Sequence, residues 1–215
     1  MSGAGGIPWR EPPFSALCLL RWGAGATASG WLQSPNRLIT AGHVIADIGP
    51  NPVAIFSAFG PLQPQASHNI HYMRTPLRPP QGSADDFGVI EVSGVPPSSF
   101  FLRMVVPSRV WRGPVFLLAF DSDGQPQFNS GSVAQYSDVR FLHTCDAWPG
   151  YSGGAIIVRA PQIGTAAIGI HTDLGRPYTE LVNDPGGLLA PPGPQYQVAT
   201  SLSIPVQQLL MGANA

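Results

Sequence analysis

A serine between glycines, in the sequence W-P-G-Y-S-G-G at residues 148–154, is the stretch of this chain best suited to chemistry. Glycines on both sides of Ser152 allow a tight backbone turn that presents two N–H groups beside the hydroxyl. A nucleophile and the donors that stabilise an oxyanion can share such a loop. The same motif also occurs in plain turns, so the loop needs partners before it indicates catalysis.

Two polar residues upstream stand at the ends of apolar runs. His43 ends the run L-I-T-A-G-H at residues 38–43, and Asp86 opens the run D-F-G-V-I at residues 86–90. Each alone is more often structural, but with Ser152 they supply a base, an acid and a nucleophile. Their order along the chain is histidine, aspartate, serine, which is the order in chymotrypsin-like proteases and differs from that in subtilisins and α/β-hydrolases.

The elements that must position these residues are short β-like runs separated by glycine, proline, serine and asparagine. The chain has 215 residues, 44% hydrophobic, with 25 glycines and 24 prolines, which favours many short strands around a sizeable core. Strands are predicted at residues 14–22, 25–33, 37–40, 53–59, 66–73 and 87–92, and then at 115–120, 127–136, 140–145, 154–159, 165–171 and 195–201. We therefore expect an all-β protein built from two similar small barrels.

The domain boundaries follow from a proline- and serine-rich linker that begins at Gly94. Residues 1–13 are interpreted as a flexible arm, residues 14–98 as the first barrel and residues 99–215 as the second. A short C-terminal helix is predicted over residues 203–211, with Ser203 as its N-cap.

Composition narrows the function classes. The net charge is −1, which favours neither nucleic acid nor an anionic membrane as a partner. Neither a signal peptide nor a membrane span stands out, so a soluble, cytoplasmic protein is expected. All basic residues are arginine, which excludes a serine–lysine dyad. Cys18 and Cys145 lie in apolar runs and are interpreted as buried small hydrophobes.

The three motifs together resemble those of the chymotrypsin/trypsin-like serine protease family. T-A-G-H-V is similar to its T-A-[AG]-H motif, D-F-G-V-I to D-[IL]-A-L-L, and G-Y-S-G-G to G-[DN]-S-G-G. The similarity covers about residues 14–211 and is strongest to the bacterial branch with glutamyl endopeptidases and HtrA-type proteases. It implies two six-stranded antiparallel β-barrels with the active site in the cleft between them.

The resemblance also implies a serine endopeptidase that acts through an acyl-enzyme on protein or peptide substrates. Ser152 would be the nucleophile, His43 the base and Asp86 the orienting acid, with Gly150 and Ser152 N–H groups as the oxyanion hole. Thr172 would brace the acid, and residues 172–174 (Thr172 to Leu174) would pair with the substrate backbone. This chemistry requires neither a metal nor an organic cofactor.

The primary specificity pocket is left open by the sequence. Asp146 lies six residues before Ser152, where trypsin-like enzymes hold an acid that binds arginine or lysine. His171 matches the pocket histidine of glutamyl endopeptidases, which helps bind a glutamate side chain. Ala147 stands where those enzymes usually carry serine or threonine, which weakens the acidic alternative. The balance leans slightly toward a basic substrate residue.

Tyr151 departs from the family where animal members keep an aspartate that receives the new N-terminus after zymogen cleavage. Activation by N-terminal cleavage is therefore not expected, and control by a regulatory protein partner or by a long loop at residues 172–194 takes its place. Two alternatives to a protease remain: a catalytically silent binding module, and an esterase that uses the same triad.

Overall fold

Two closed, antiparallel, six-stranded β-barrels make up the protein. The computed structural model describes residues 8–69, 86–106, 113–136, 140–176, 196–202 and 207. This architecture confirms the fold class predicted from the sequence.

The strands follow the predicted series closely. The first barrel consists of β1 (Leu17–Trp22), β2 (Ala26–Ser34), β3 (Arg37–Thr40), β4 (Val53–Ser57), β5 (Gly60–Asn69) and β6 (Gly88–Ser93). The second consists of β7 (Pro114–Phe120), β8 (Pro126–Tyr136), β9 (Arg140–His143), β10 (Ala155–Ala160), β11 (Gly164–Arg176) and β12 (Tyr196–Ser201).

The two barrels share one connectivity although their sequences show no repeat. The strand order around the first is β1-β2-β3-β6-β5-β4, and around the second β7-β8-β9-β12-β11-β10. In both, the pairing of the first strand with the fourth closes the sheet, which removes exposed strand edges.

Burial alternates along some strands and is continuous along parts of others. In β4, Val53, Ile55 and Ser57 are buried while the residues between them are exposed. In β1 the first four residues are all buried. One continuous hydrophobic core extends from the first barrel into β7, β10 and β11, so the two barrels pack against each other through apolar side chains.

Two elements differ from the prediction. A short helix, α1 (Gly42–Ile48), follows β3 where the sequence indicated only the end of a strand. Its N-cap is Ala41, which supplies no capping side chain, so the usual start signal is missing. Strand β5 begins at Gly60 rather than at residue 66. Prolines within it resemble a break in sequence, but the chain continues as a strand whose pairing with β6 shifts after Pro64.

The chain ends and the long loop are described only in part. Residues 8–13 of the predicted arm include Trp9, whose ring packs edge-on against Phe120 at 5.0 Å between centroids. Strand β11 continues to Arg176, so the predicted loop at 172–194 starts later, and its residues 177–194 lie outside the described part. Of the predicted C-terminal helix only Gln207 is described, and it is helical. Among the described residues, no helix is both long and apolar enough to span a bilayer.

Candidate active site

Adjacent strands of the first barrel bring His43 and Asp86 together. Strands β3 and β6 pair with each other and match Thr40 to Gly88. Helix α1 begins directly after β3 and carries His43 in its first turn, while Asp86 lies just before β6. The ends of the two neighbouring strands therefore place the imidazole beside the carboxylate.

The His43 and Asp86 side chains are buried and lie within ion-pair distance of each other. The His43 Nδ1 atom lies 2.8 Å from Asp86 Oδ2 and 3.1 Å from Oδ1, and the His43 backbone N–H donates to Oδ1 at 2.8 Å. Their exposed fractions are 5% and 0%. Because an ionised carboxylate only accepts hydrogen bonds, Nδ1 carries the proton and the Nε2 lone pair is left to act as a base.

The second barrel holds the backbone of the acid. The Thr200 hydroxyl, from β12, donates to the Asp86 carbonyl oxygen at 3.2 Å, and Thr200 is fully buried. A contact between the barrels therefore fixes the residue that orients His43.

The Ser152 loop adopts a backbone shape that only glycine tolerates at two positions. Gly150 has φ +98° and Gly153 has φ +84°, both in the region that disfavours side chains. A Cβ atom on Gly150 would lie 2.7 Å from the Asp121 carbonyl carbon, and one on Gly153 would lie 2.2 Å from the Ser29 carbonyl oxygen. The glycines of the motif are thus required by both backbone conformation and close packing.

Backbone hydrogen bonds from both barrels hold this loop. The Ser29 N–H, in β2, donates to the Ser152 carbonyl oxygen at 2.9 Å. The Gly153 N–H donates to the His171 carbonyl at 2.8 Å, and the His171 N–H donates to the Gly154 carbonyl at 2.8 Å. The nucleophile loop is therefore fixed between β2 of the first barrel and β11 of the second.

Two N–H groups on the loop have no acceptor among the residues that the structure describes. Neither the Gly150 N–H nor the Ser152 N–H donates a hydrogen bond to any described residue. The Ser152 side chain itself is partly exposed. An unpaired pair of donors beside an accessible hydroxyl is the arrangement that stabilises negative charge on an attacked carbonyl oxygen.

The loop packs directly against the segment that leads to the histidine. A Cβ atom on Gly153 would lie 2.2 Å from Thr40 Oγ1 and 3.1 Å from the Ala41 nitrogen. These residues immediately precede α1, which carries His43. Within the described residues, no hydrogen bond joins the Ser152 hydroxyl to the His43 ring. Such bonds often tighten only when substrate is bound.

A pair of buried histidines, His143 and His171, lies beside this site. His143 Nε2 is 3.2 Å from His171 Nδ1, and the two residues are 0% and 1% exposed. Burial lowers the pKa of His171 to about 3, with the nearby His43 adding to the effect. The pKa of His143 is lowered as well, mainly by burial and to a lesser extent by the charge of His171. His143 Nδ1 and His171 Nε2 have no hydrogen-bond partner within the described residues.

Asp146 lies at the surface of the second barrel. Its side chain is exposed, and Asn129 Nδ2 donates to its backbone carbonyl at 2.9 Å. The ring of His171 pairs with His143 rather than with Asp146.

Tyr151 fills the position of the missing aspartate with an aromatic ring. It is 2% exposed and belongs to the apolar core of the second barrel. Its hydroxyl accepts a hydrogen bond from Asn129 Nδ2 at 3.4 Å, and burial raises its pKa. The loop is therefore held there by packing rather than by an ion pair.

The remaining predicted residues lie on β11 and around the core. The Thr172 side chain is fully buried, and its hydroxyl donates to the Val198 carbonyl at 3.3 Å. Leu174 lies on β11, where pairing with β12 continues after pairing with β10 ends at Ile170. Cys145 is buried, and burial raises the pKa of its thiol to about 12, which makes it a poor nucleophile.

Sequence reasoning missed three polar residues of this region: Ser29, His143 and Thr200. Each contacts the site from a strand distant in sequence, and no motif surrounds any of them. The only signal was their type, since polar residues within otherwise apolar strands need a partner once they are buried.

The family is established by sequence. Residues 28–162, more than half of the chain, match the model of the trypsin-like peptidase domain. This range contains His43, Asp86 and Ser152. No curated protein matches the chain in sequence.

Solved structures agree on the fold. The chain is similar to a Glu endopeptidase solved in complex with MPD, with a TM-score of 0.72, 16% identity, and coverage of 97% of this chain and 94% of that chain. It is also similar to an inactive-form mutant of Rv3671c from M. tuberculosis H37Rv, with a TM-score of 0.63, 15% identity, and coverage of 93% and 88%. At such low sequence identities the structural similarity shows only the fold, whereas the match to the trypsin-like peptidase domain shows the family. The chain belongs to the trypsin-like peptidase family and is a serine endopeptidase of that type.

Proposed function

We propose that Ser152, His43 and Asp86 form the catalytic triad and that peptide bonds are cleaved through an acyl-enzyme. The observation that carries this proposal is the buried His43–Asp86 pair beside a loop whose Gly150 and Ser152 N–H groups have no acceptor within the described residues. A base with its proton fixed on Nδ1 and two free donors are the parts that acyl transfer needs.

The reaction would begin with attack of Ser152 Oγ on the scissile carbonyl. His43 Nε2 takes the hydroxyl proton and passes it to the leaving amine, while Asp86 stabilises the charged imidazole. The N–H groups of Gly150 and Ser152 stabilise the oxyanion as it forms. Water, activated by the same imidazole, then hydrolyses the acyl-enzyme and regenerates the serine.

Labelling with a fluorophosphonate probe tests the proposal without knowledge of the substrate. The parent protein is expected to label at a single serine, and labelling is expected to disappear in Ser152→Ala and His43→Ala. Ser34→Ala serves as the matched control, because Ser34 lies at the end of β2 and its hydroxyl donates a hydrogen bond to the nearby Asn36 side chain. A folded parent that does not label would instead support the silent binding module. Labelling with hydrolysis of activated esters but of no protein would support the esterase.

Within the same proposal, His171 rather than Asp146 recognises the substrate side chain, and the favoured residue is acidic. His171 precedes Thr172, where the substrate strand is expected, and its buried Nε2 has no partner within the described residues. A substrate carboxylate would supply the missing acceptor or a negative charge for the imidazole. Exposed Asp146 is solvated and gains little by pairing with an arginine or lysine. This choice reverses the slight preference for a basic residue.

Profiling with a peptide library separates these alternatives. We expect cleavage after glutamate or aspartate in the parent, loss of that preference in His171→Gln, and no change in Asp146→Asn. Cleavage after arginine or lysine that is lost in Asp146→Asn would contradict the assignment.

Regulation by a partner or by the long loop belongs to the same proposal. Its support is that Tyr151 is packed in the apolar core, where no N-terminal ammonium could pair with it. Replacement of residues 177–194 by a short glycine-serine linker is expected to change rate or specificity, and an unchanged enzyme would refute control by this loop. A cytoplasmic location is proposed too. The free, buried state of Cys18 and Cys145 is compatible with a reducing compartment, and cell fractionation tests it.

A further inference from the structure

Ser29 is a fully buried polar residue in β2 that contacts the nucleophile loop from the opposite barrel. Its hydroxyl oxygen accepts a hydrogen bond from the Phe120 N–H at 2.7 Å and lies 3.0 Å from the Gly150 carbonyl oxygen. A serine hydroxyl has one proton to donate. The Gly150 carbonyl is closer than the Phe120 carbonyl at 3.4 Å, so the proton is directed to Gly150.

The backbone of the same residue contacts the other end of the loop. The Ser29 N–H donates to the Ser152 carbonyl at 2.9 Å, and the Ser29 carbonyl accepts from the Thr40 hydroxyl at 2.7 Å. Gly153 packs against that carbonyl so closely that a Cβ atom would overlap it. Ser29 therefore holds the loop at Gly150, Ser152 and Gly153 from one position on β2.

We propose that Ser29 is a positioning residue, whose hydroxyl holds the oxyanion hole in place. This inference rests on the proposed triad function and adds a residue outside the three sequence motifs. The Gly150 carbonyl belongs to the peptide unit that follows the Gly150 N–H, so fixing that carbonyl restrains the residue that carries one of the two donors. A glycine at φ +98° has little conformational preference of its own and needs such a restraint.

The environment of Tyr151 explains why the restraint comes from the first barrel. The residue between Gly150 and Ser152 is an apolar-packed tyrosine and supplies no charge to hold the loop. The Ser29 hydroxyl instead connects Gly150 to Phe120 at the end of β7, across the interface between the barrels. Docking of the barrels and formation of the hole are thereby coupled through one side chain.

Removal of the hydroxyl should slow the chemistry while the base stays intact. In Ser29→Ala the Gly150 carbonyl and the Phe120 N–H both lose a partner in a buried site. We expect the rate constant for fluorophosphonate labelling to fall about 10- to 100-fold, as for a small displacement of catalytic groups. The shape of its pH profile should not change, because the Ser29 hydroxyl bonds to Phe120 and Gly150 and forms no hydrogen bond with His43 or Asp86.

Ser57→Ala is the matched control. Ser57 is a buried serine of the same barrel, 4% exposed, whose hydroxyl donates to the Gly60 carbonyl at 2.8 Å within its own hairpin. It should label at the parent rate. Ser29→Cys, whose thiol is a weak donor of similar size, provides a second variant should Ser29→Ala fail to fold, and it is expected to label at an intermediate rate.

The experiment combines labelling with hydrogen–deuterium exchange of peptides that cover residues 117–122 and 148–154. Slower labelling of folded Ser29→Ala, with faster exchange in both peptides and neither effect in Ser57→Ala, supports the inference. A merely structural role would reduce the labelled amount in proportion to unfolded protein while the rate constant of the folded fraction stays at the parent value, and this result overturns it. If the parent itself does not label, the proposed function fails, and exchange decides separately: unchanged protection of residues 148–154 in Ser29→Ala overturns the positioning role.

Discussion

The two barrels share a topology but hold their halves of the site by different means. In the first barrel, two side chains meet directly: His43 and Asp86 are buried, and a bidentate contact joins them. In the second, the proposed catalytic groups other than the Ser152 hydroxyl are backbone N–H groups on a glycine-rich loop, and the position of this loop depends on contacts with other segments. The comparison indicates that, in the proposed site, the His43–Asp86 side-chain contact lies within the first barrel with support from Thr200 of the second, whereas the Ser152 loop is held by segments of both barrels.

The largest effect should come from the first-barrel half. Asp86→Asn keeps the shape of the acid but donates a hydrogen bond where the carboxylate accepts one, which favours the wrong histidine tautomer. We expect the turnover of a peptide substrate to fall by about 10⁴-fold with little change in thermal stability. Steady-state kinetics beside a melting curve measures both. Turnover within tenfold of the parent would show that Asp86 does not orient the base.

A smaller effect should follow from disturbing the loop in the second barrel. Gly150 has φ +98°, which disfavours any side chain, and in Gly150→Ala the added Cβ would also clash with the backbone of Asp121. Displacing this oxyanion donor should cost about 100- to 1,000-fold in turnover. Gly164→Ala is the control, because its φ is +66° and no atom lies within 4 Å of the added Cβ. Equal activity in the two variants would mean that backbone strain alone, and no contact with the site, accounts for any loss.

The last effect concerns a different quantity, the pH dependence of stability. The pKa of His171 is about 3 in the folded protein, against 6.5 for an ordinary histidine, so the unfolded chain binds a proton more readily. Stability contributed by the neutral form is fully present above pH 6.5 and falls as pH decreases toward 3, by up to about 1.4 kcal/mol per pH unit.

Urea unfolding at several pH values measures this slope. In His171→Gln the slope between pH 6 and 4 should be shallower, and His143, whose pKa is also lowered by burial, contributes to the slope that remains. A slope equal to that of the parent would place His171 in a more solvated environment than the structure gives it.

The part of the fold that the sequence predicted is the part determined by local pattern. Short apolar runs ended by glycine and proline located the strands, and three motifs in order located His43, Asp86 and the Ser152 loop. Helix α1 was missed because it is short and lacks a capping side chain. The start of β5 was predicted too late in the chain, because prolines within this strand are typical of a turn.

The contacts that complete the site could not be predicted, because they join segments that are distant in sequence. Ser29 and Gly150 are 121 residues apart, and His143 and His171 are 28 apart on strands that both pair with β12. Neither arrangement leaves a local pattern. A buried serine or histidine reveals its partner only when the barrel register and the docking of the two barrels are known.

The most direct test of the central claim, that the His43–Asp86 pair and the Ser152 loop form one active site, is a crystal structure of the protein after reaction with diisopropyl fluorophosphate. We expect a phosphorus atom bonded to Ser152 Oγ. Its phosphoryl oxygen should lie about 2.7–3.1 Å from the Gly150 and Ser152 nitrogens, with His43 Nε2 within hydrogen-bond reach of the adduct. An adduct on another residue, or a phosphoryl oxygen directed away from both N–H groups, would contradict it.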